Sequence, residues 1–206
     1  MAAIDHLVLA TPSLADTTAS VAAAIGVEPS AGGRHVGVGT ANTLLSFGDG
    51  SYLEIIGPDP TQDVDAVKPF GIDELSDARL VTFAARVDGI DEVIAAARLR
   101  GHDPGDARAM SRATPDGGLL AWSLTAPPAW AGGVVPFLID WGTTTHPSTT
   151  AAGGASLSGF SVSHPEPATI IAALAAIGLD IPVTRAEAPA LSAVISGPAG
   201  SMLLTS

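Results

Sequence analysis

The chain contains no cysteine. Disulfides, thiolate nucleophiles and cysteine-ligated metals or clusters are therefore excluded, and the composition fits a cytoplasmic protein. Basic residues are scarce: nine Lys and Arg stand against 21 Asp and Glu, for a formal net charge of −12. A nucleic-acid partner wants a basic face and an anionic membrane surface wants basic clusters, so neither is expected. Hydrophobic residues make up 47% of the chain. They are dispersed, and no run reaches the roughly 18 apolar residues of a membrane helix. The N-terminus lacks the basic start and apolar core of a signal peptide. A phosphate-binding loop, a nucleophile elbow and an HExxH motif are missing as well. At 206 residues the chain has room for one domain or two small ones, with a sizeable core.

What is present is a pattern that opens the chain and recurs. Residues 4–57 begin with a short apolar strand, Ile4 to Ala10, interrupted by His6. Ser13 and Asp16 then have capping-box spacing, and Leu14, Val21 and Ile25 lie on one helical stripe closed by Gly26. Strand candidates follow near 34–38, 42–47 and 51–57, the last preceded by the turn Gly48-Asp49-Gly50. The unit reads β-α-β-β-β. Residues 79–141 repeat it with an extra strand, VPFLIDW: Asp88 and Asp91 have the capping spacing, Gly101 closes the helix, and Pro115-Asp116-Gly117 marks a turn. Residues 157–205 repeat it again, although Pro165 and Pro167 obscure the helix start. The helix endings AAAIGVEP, AARLRGHDP and LAAIGLDIP match. The strand-to-glycine spacings agree too: 19 from Leu7 to Gly26, 18 from Phe83 to Gly101, and 18 from Phe160 to Gly178. Three copies of a unit near 50 residues constitute a repeat.

Side chains two apart share a strand face. Ile4, His6 and Val8 therefore point one way on the first strand, and Tyr52, Glu54 and Ile56 one way on the fourth. A histidine and a glutamate inside apolar strands cost several kcal/mol to bury unless paired or bound to something. His35 and Asn42 flank a glycine-rich stretch whose Gly37 and Gly39 let the backbone approach a ligand, or simply turn. Arg112 is a candidate clamp for an anion, or a partner for a surface acid. Trp122 reads as a stacking wall or as core. Asp140 and His146, in and after VPFLIDW, read either as site residues or as a cap and a solvated linker residue. His102, just past the second helix, reads as a surface residue, and His164 is assigned no role.

The phrases IDHLVLA, GRHVGVGTANTLLSF, SYLEIIG, PDGGLLAW, VPFLIDW and HP in TTTHPS resemble the glyoxalase-like domain proteins of the vicinal-oxygen-chelate superfamily, over roughly residues 4–205. The resemblance implies an α+β fold of repeated βαβββ modules whose curved sheets form a cup with helices outside. It implies a first-strand and a last-strand metal ligand per module, which here are His6 and Glu54. The second module offers Thr82 for the second histidine. The extra Gly118 leaves either Ala121 or Trp122 at the place of the second glutamate, and the third module offers Gly159 and Leu204. The familiar four-ligand set is thus incomplete. His146 with His6 and Glu54 would make a two-histidine, one-carboxylate set.

The functional expectation is a glyoxalase- or dioxygenase-like protein acting on a small oxygenated molecule. Glu54 and His35 are its catalytic candidates, and Asn42, Arg112, Trp122, Asp140 and His146 its ligand-binding candidates. The cofactor is either a divalent metal (Zn, Mn, Fe or Ni) or none. The alternative is a metal-free protein that binds or sequesters a small molecule. A homodimer is expected, because a third module cannot close a cup alone.

Overall fold

The computed structural model describes residues 2–62, 66–113 and 119–206, and of residues 112, 113 and 119 the backbone alone. The expected turn at 115–117 lies outside these residues. Three times the element order runs β-α-β-β-β. It reads β1 (Ala3–Ala10), α1 (Leu14–Ile25), β2 (Ser30–His35), β3 (Thr40–Ser46) and β4 (Tyr52–Pro58); then β5 (Arg79–Arg86), α2 (Ile90–Leu99), β6 (Arg108–Ala113), β7 (Leu119–Leu124) and β8 (Phe137–Asp140); then β9 (Ser156–His164), α3 (Pro167–Ala176), β10 (Val183–Arg185), β11 (Ala190–Gly197) and β12 (Gly200–Thr205). The fold class is α+β, as the sequence led us to expect.

By contact the chain forms two compact units. The first comprises residues 1–6, 82–145 and 160–192, the second residues 7–81, 146–159 and 193–206. In the second unit β2, β3 and β4 form an antiparallel meander. Leu44 lies opposite Glu54, Asn42 opposite Ile56, Ser46 opposite Tyr52 and Thr40 opposite His35. Directly opposed residues share a face, so Thr43, Leu45, Leu53 and Ile55 form the other one. That second face takes α1: the Thr18 and Thr43 hydroxyls bond at 2.9 Å, and Val21, Ile25, Leu45, Leu53 and Ile55 are fully buried. The helix ends at Gly26 in the left-handed conformation, with φ 75°, as its position in the sequence suggested. The Ser13 hydroxyl bonds the Asp16 carboxylate at 2.6 Å instead of capping a backbone N–H. The Ala199 N–H bonds the Ile25 carbonyl at 3.0 Å, and a side chain at Gly197 would overlap that carbonyl.

The glycine-rich strand sits earlier than its sequence suggested. Residues 30–35, not 34–38, are extended, and the stretch around Gly37 and Gly39 (φ 80° and 76°) is the turn. Gly32 and Gly33 are tolerated within β2 because Asn42 needs their backbone close, as described below.

In the first unit β5 pairs parallel to β8, and β6, β7 and β8 pair antiparallel. Asp140 lies opposite Ser123, Ile139 opposite Leu124, and Met110 opposite Trp122. Trp122, Leu124, Phe137 and Ile139 therefore share one face, while Leu138 and Asp140 turn to the α2 side. α2 begins at Gly89 (φ 69°) with no cap from its own segment, contrary to the expectation for Asp88. The Asp140 carboxylate does that work instead, accepting from the Gly89 and Ile90 N–H groups at 2.9 and 3.2 Å. α3 starts with Pro167 in its first turn, where a proline costs nothing. β10 then pairs parallel to β9.

Candidate functional site

Each unit presents its own set of functional side chains. In the second unit they lie on the sheet face away from α1. The Asn42 side chain, 7% exposed, is held at both ends. Its Oδ1 accepts from the Gly33 N–H at 2.6 Å, and its Nδ2 donates to the Glu54 carboxylate. A Cβ at Gly32 would overlap Asn42 Oδ1, so the glycine makes room for the amide. Glu54 is half-buried between the buried Leu53 and Ile55. A carboxylate so placed is tolerable because it is hydrogen-bonded. Further along the same face His35 Nδ1 and Thr40 Oγ1 lie 2.8 Å apart. At the other end Tyr52 meets His146 edge-on, ring centroids 5.7 Å apart. His146 also bonds the Ser148 hydroxyl through Nδ1, at 2.7 Å, at the start of a short helical turn. Four residues singled out from the sequence, His35, Asn42, Glu54 and His146, thus share one face with Tyr52.

The loop that leaves this face is pinned by Asp59. Its carboxylate takes hydrogen bonds from Thr61, Gln62 and Arg34, the last at 2.7 Å. These bonds, Thr61 first, hold its pKa far below the usual carboxylate range.

In the first unit His6 is 4% exposed and pairs through Nδ1 with the Asp5 carboxylate at 2.6 Å. The other Asp5 oxygen accepts from Trp141 Nε1 at 3.0 Å. His6 packs edge-on against Phe137 at 5.6 Å, and Trp141 lies tilted on Trp122 at 5.5 Å. Trp122 Nε1 is buried and has no hydrogen-bond partner among the described residues. The strand register puts Trp122, not Ala121, on the face shared with Phe137. Asp5 was missed in the sequence. Its signal was a second polar side chain beside His6 in an otherwise apolar strand. Asp140 faces α2 and caps it. Arg112 lies on β6 opposite Leu120, its side chain outside the described residues. His102, read as a surface residue, is instead only 6% exposed. The packing of the segment after α2 buries it, and single-sequence periodicity does not register that.

The Asp5–His6 pair has the carboxylate–histidine form that orients imidazole ligands of metals. Yet among the described residues no three His, Asp or Glu side chains cluster as a metal site would need, and tight divalent sites use at least three protein donors. The described donors do not fit a resident divalent ion.

The family model described as Glyoxalase-like domain matches residues 4–178. The chain belongs to the glyoxalase-like domain family. With that it is a vicinal-oxygen-chelate protein. The match stops at the end of the third helix, short of the 4–205 expected. A hypothetical protein from Staphylococcus aureus aligns over 100% of this chain and 85% of its own, at 14% identity and a TM-score of 0.65. Methylmalonyl-CoA epimerase from Mycobacterium tuberculosis aligns over 68% of this chain and 87% of its own, at 17% identity and a TM-score of 0.47. A Streptomyces coelicolor methylmalonyl-CoA epimerase variant in complex with 2-nitronate-propionyl-CoA aligns over 69% and 96%, at 18% identity and a TM-score of 0.46. These likenesses concern fold, and the epimerase alignments are too loose to carry a substrate over. No curated protein sequence matches the chain. No helix among the described residues is long and apolar enough to cross a membrane.

Proposed function

We propose that this glyoxalase-like protein binds a small oxygenated molecule against the β2–β4 face of the second unit, and that Glu54 moves a proton on it. The observation that carries this reading is the chain Gly33–Asn42–Glu54, in which a backbone N–H fixes an amide and the amide fixes a carboxylate. A base held in one orientation is what abstraction of a proton beside a carbonyl requires. Glu54 takes the C–H proton, the electron pair moves onto the carbonyl oxygen, and return of the proton gives an isomerised or epimerised product. No oxidant or second substrate is needed. Asn42 Nδ2 carries two N–H groups, one of them spent on Glu54, and the second is the candidate donor to the enolate oxygen. His35 is the candidate to return the proton.

The test is hydrogen–deuterium exchange at the carbon next to the ketone or thioester carbonyl of a panel of small 2-oxo acids and thioesters in D2O, followed by NMR. Wild-type protein accelerates exchange for at least one member and Glu54→Gln does not. Equal exchange by both proteins overturns the assignment of Glu54.

A second reading, a metal-free binding or sequestering protein, is favoured by Trp122 Nε1 beside Trp141 in the first unit, which has no hydrogen-bond partner among the described residues. A ligand oxygen accepting from that N–H would satisfy it. Affinity for a ligand with no turnover by any variant supports this reading. Elemental analysis of protein purified without chelator decides the cofactor. About one divalent ion per chain, lost in His6→Ala, would restore the metal-dependent alternative. We further propose a homodimer; a monomeric mass in sedimentation equilibrium overturns it.

A further inference from the structure

The first unit holds a cleft of about 610 Å³ on its helical side. Arg100, His102 and Trp130 line it together with Ala168, Ala172 and Ala173 of α3. None of these residues belongs to the sets described above. We propose that this cleft is a second ligand site, for a small planar aromatic carboxylate.

The argument starts from His102. Its side chain is buried, with 6% of the residue exposed, and its Nε2 has no hydrogen-bond partner among the described residues. An orphaned buried nitrogen costs the fold free energy unless a partner arrives. The imidazole meets the Trp130 indole edge-on, with centroids 6.4 Å apart. That indole is 54% exposed on a three-residue helical turn, an unusual place for a tryptophan with nothing to cover it. A modest rotation of this one exposed side chain opens Nε2 to a guest in the cleft.

The other wall sets the shape of that guest. Ala168, Ala172 and Ala173 present methyl groups along α3, a low apolar surface suited to a flat ring, while the indole supplies a stacking partner. Arg100 sets its charge. One of its five N–H groups is spent on the Ala176 carbonyl, at 2.9 Å, which anchors the guanidinium at the rim. An anchored guanidinium pairs with a carboxylate through its planar fork. In a chain with only nine basic residues and a net charge of −12, this pairing of a cation with an unsatisfied imidazole selects an anion. The ring lies between α3 and Trp130, and the carboxylate accepts from Arg100 and from Nε2–H of His102.

The probe is 2-naphthoate, titrated into the full chain by calorimetry, with 2-naphthalenemethanol as the uncharged control. The expected result is saturable binding of one equivalent, weakened roughly tenfold or more by His102→Phe, by Arg100→Gln and by Trp130→Ala, and weakened similarly for the alcohol. Glu54→Gln leaves binding unchanged. His102→Phe removes the orphaned nitrogen without opening a hole, and Trp130→Ala alters an exposed residue, so at least one of these variants keeps the fold, checked by thermal melting. Absence of saturable binding overturns the proposal. So does binding that persists in all three variants, or binding lost in Glu54→Gln, which would place the probe on the β2–β4 face instead.

Discussion

β4 in the second unit and β7 in the first occupy corresponding places in successive repeats, and they carry opposite chemistry. β4 offers Glu54, fixed by Asn42. β7 offers Trp122, tilted against Trp141, with no hydrogen-bond partner for its N–H among the described residues. The first strands diverge in the same way: His6 on β1 answers to Thr82 on β5. One repeat carries ionisable groups on its first and last strands, while the other carries a hydroxyl and an aromatic ring at the corresponding places. The same local fold thus supplies proton-handling groups in one copy and stacking surface in the other. Chemistry follows the individual side chains and not the module that displays them.

The comparison breaks most decisively at Glu54. Glu54→Gln should lower exchange at the carbon next to the carbonyl by about 10² to 10⁴ while Trp122→Phe leaves the exchange rate near wild type. Equal losses from the two substitutions, measured by NMR in D2O, would erase the division between the repeats. A finer cut is Gly32→Ala. The new methyl displaces the Asn42 amide, so exchange should fall roughly tenfold or more, as it should for Asn42→Ala. A Gly32→Ala protein with full activity would show that the orientation of Asn42 is immaterial.

In the first unit the corresponding polar pair should act on stability instead of rate. Asp5→Asn weakens the contact to His6 and keeps the shape of the side chain. It should cost about 1–3 kcal/mol in urea denaturation, with exchange kinetics changed by less than about twofold.

The smallest effects distinguish the units by pH. Burial lowers the pKa of His102 in the first unit below its usual 6.5. The unfolded chain then takes up a proton before the folded one does, so stability falls as pH drops through 6.5. His102→Phe should flatten that limb. In the second unit the hydrogen bonds to Asp59 depress its pKa from 3.8. Its contribution is complete above that value and is lost as pH falls further, so Asp59→Asn should flatten only the limb below pH 3.8. Melting temperatures measured from pH 8 to pH 2 for both variants would show whether the two limbs separate.

Much of the fold was legible in the sequence because its signals are local. Gly26, Gly101 and Gly178 closed helices whose apolar stripes were already visible, and two-residue alternation put Tyr52, Glu54 and Ile56 on one face. Candidate residues were legible where one was out of place in its own strand, as His6 and Glu54 were, or flanked the glycine-rich turn, as His35 and Asn42 did. What escaped depends on partners distant in sequence. Gly32 looks like a loop glycine until Asn42 is seen to need its space. Asp140 reads equally as a site residue or a cap until its register turns it toward α2, which it caps. His102 looks exposed because helix ends usually are, and only the packing around it shows otherwise. The displaced strand at 34–38 had a different cause: alternating valine and glycine mimics a strand pattern, whereas left-handed glycines make a turn.

The carboxylate that completes the start of α2 lies fifty residues downstream of Ile90. During synthesis on the ribosome, α2 is made well before the residue that satisfies its first N–H groups. A short helix with no cap of its own is marginal by itself. α2 therefore becomes stable only when β8 has emerged and docked, so a nascent chain arrested before Asp140 should expose this segment to proteases and chaperones.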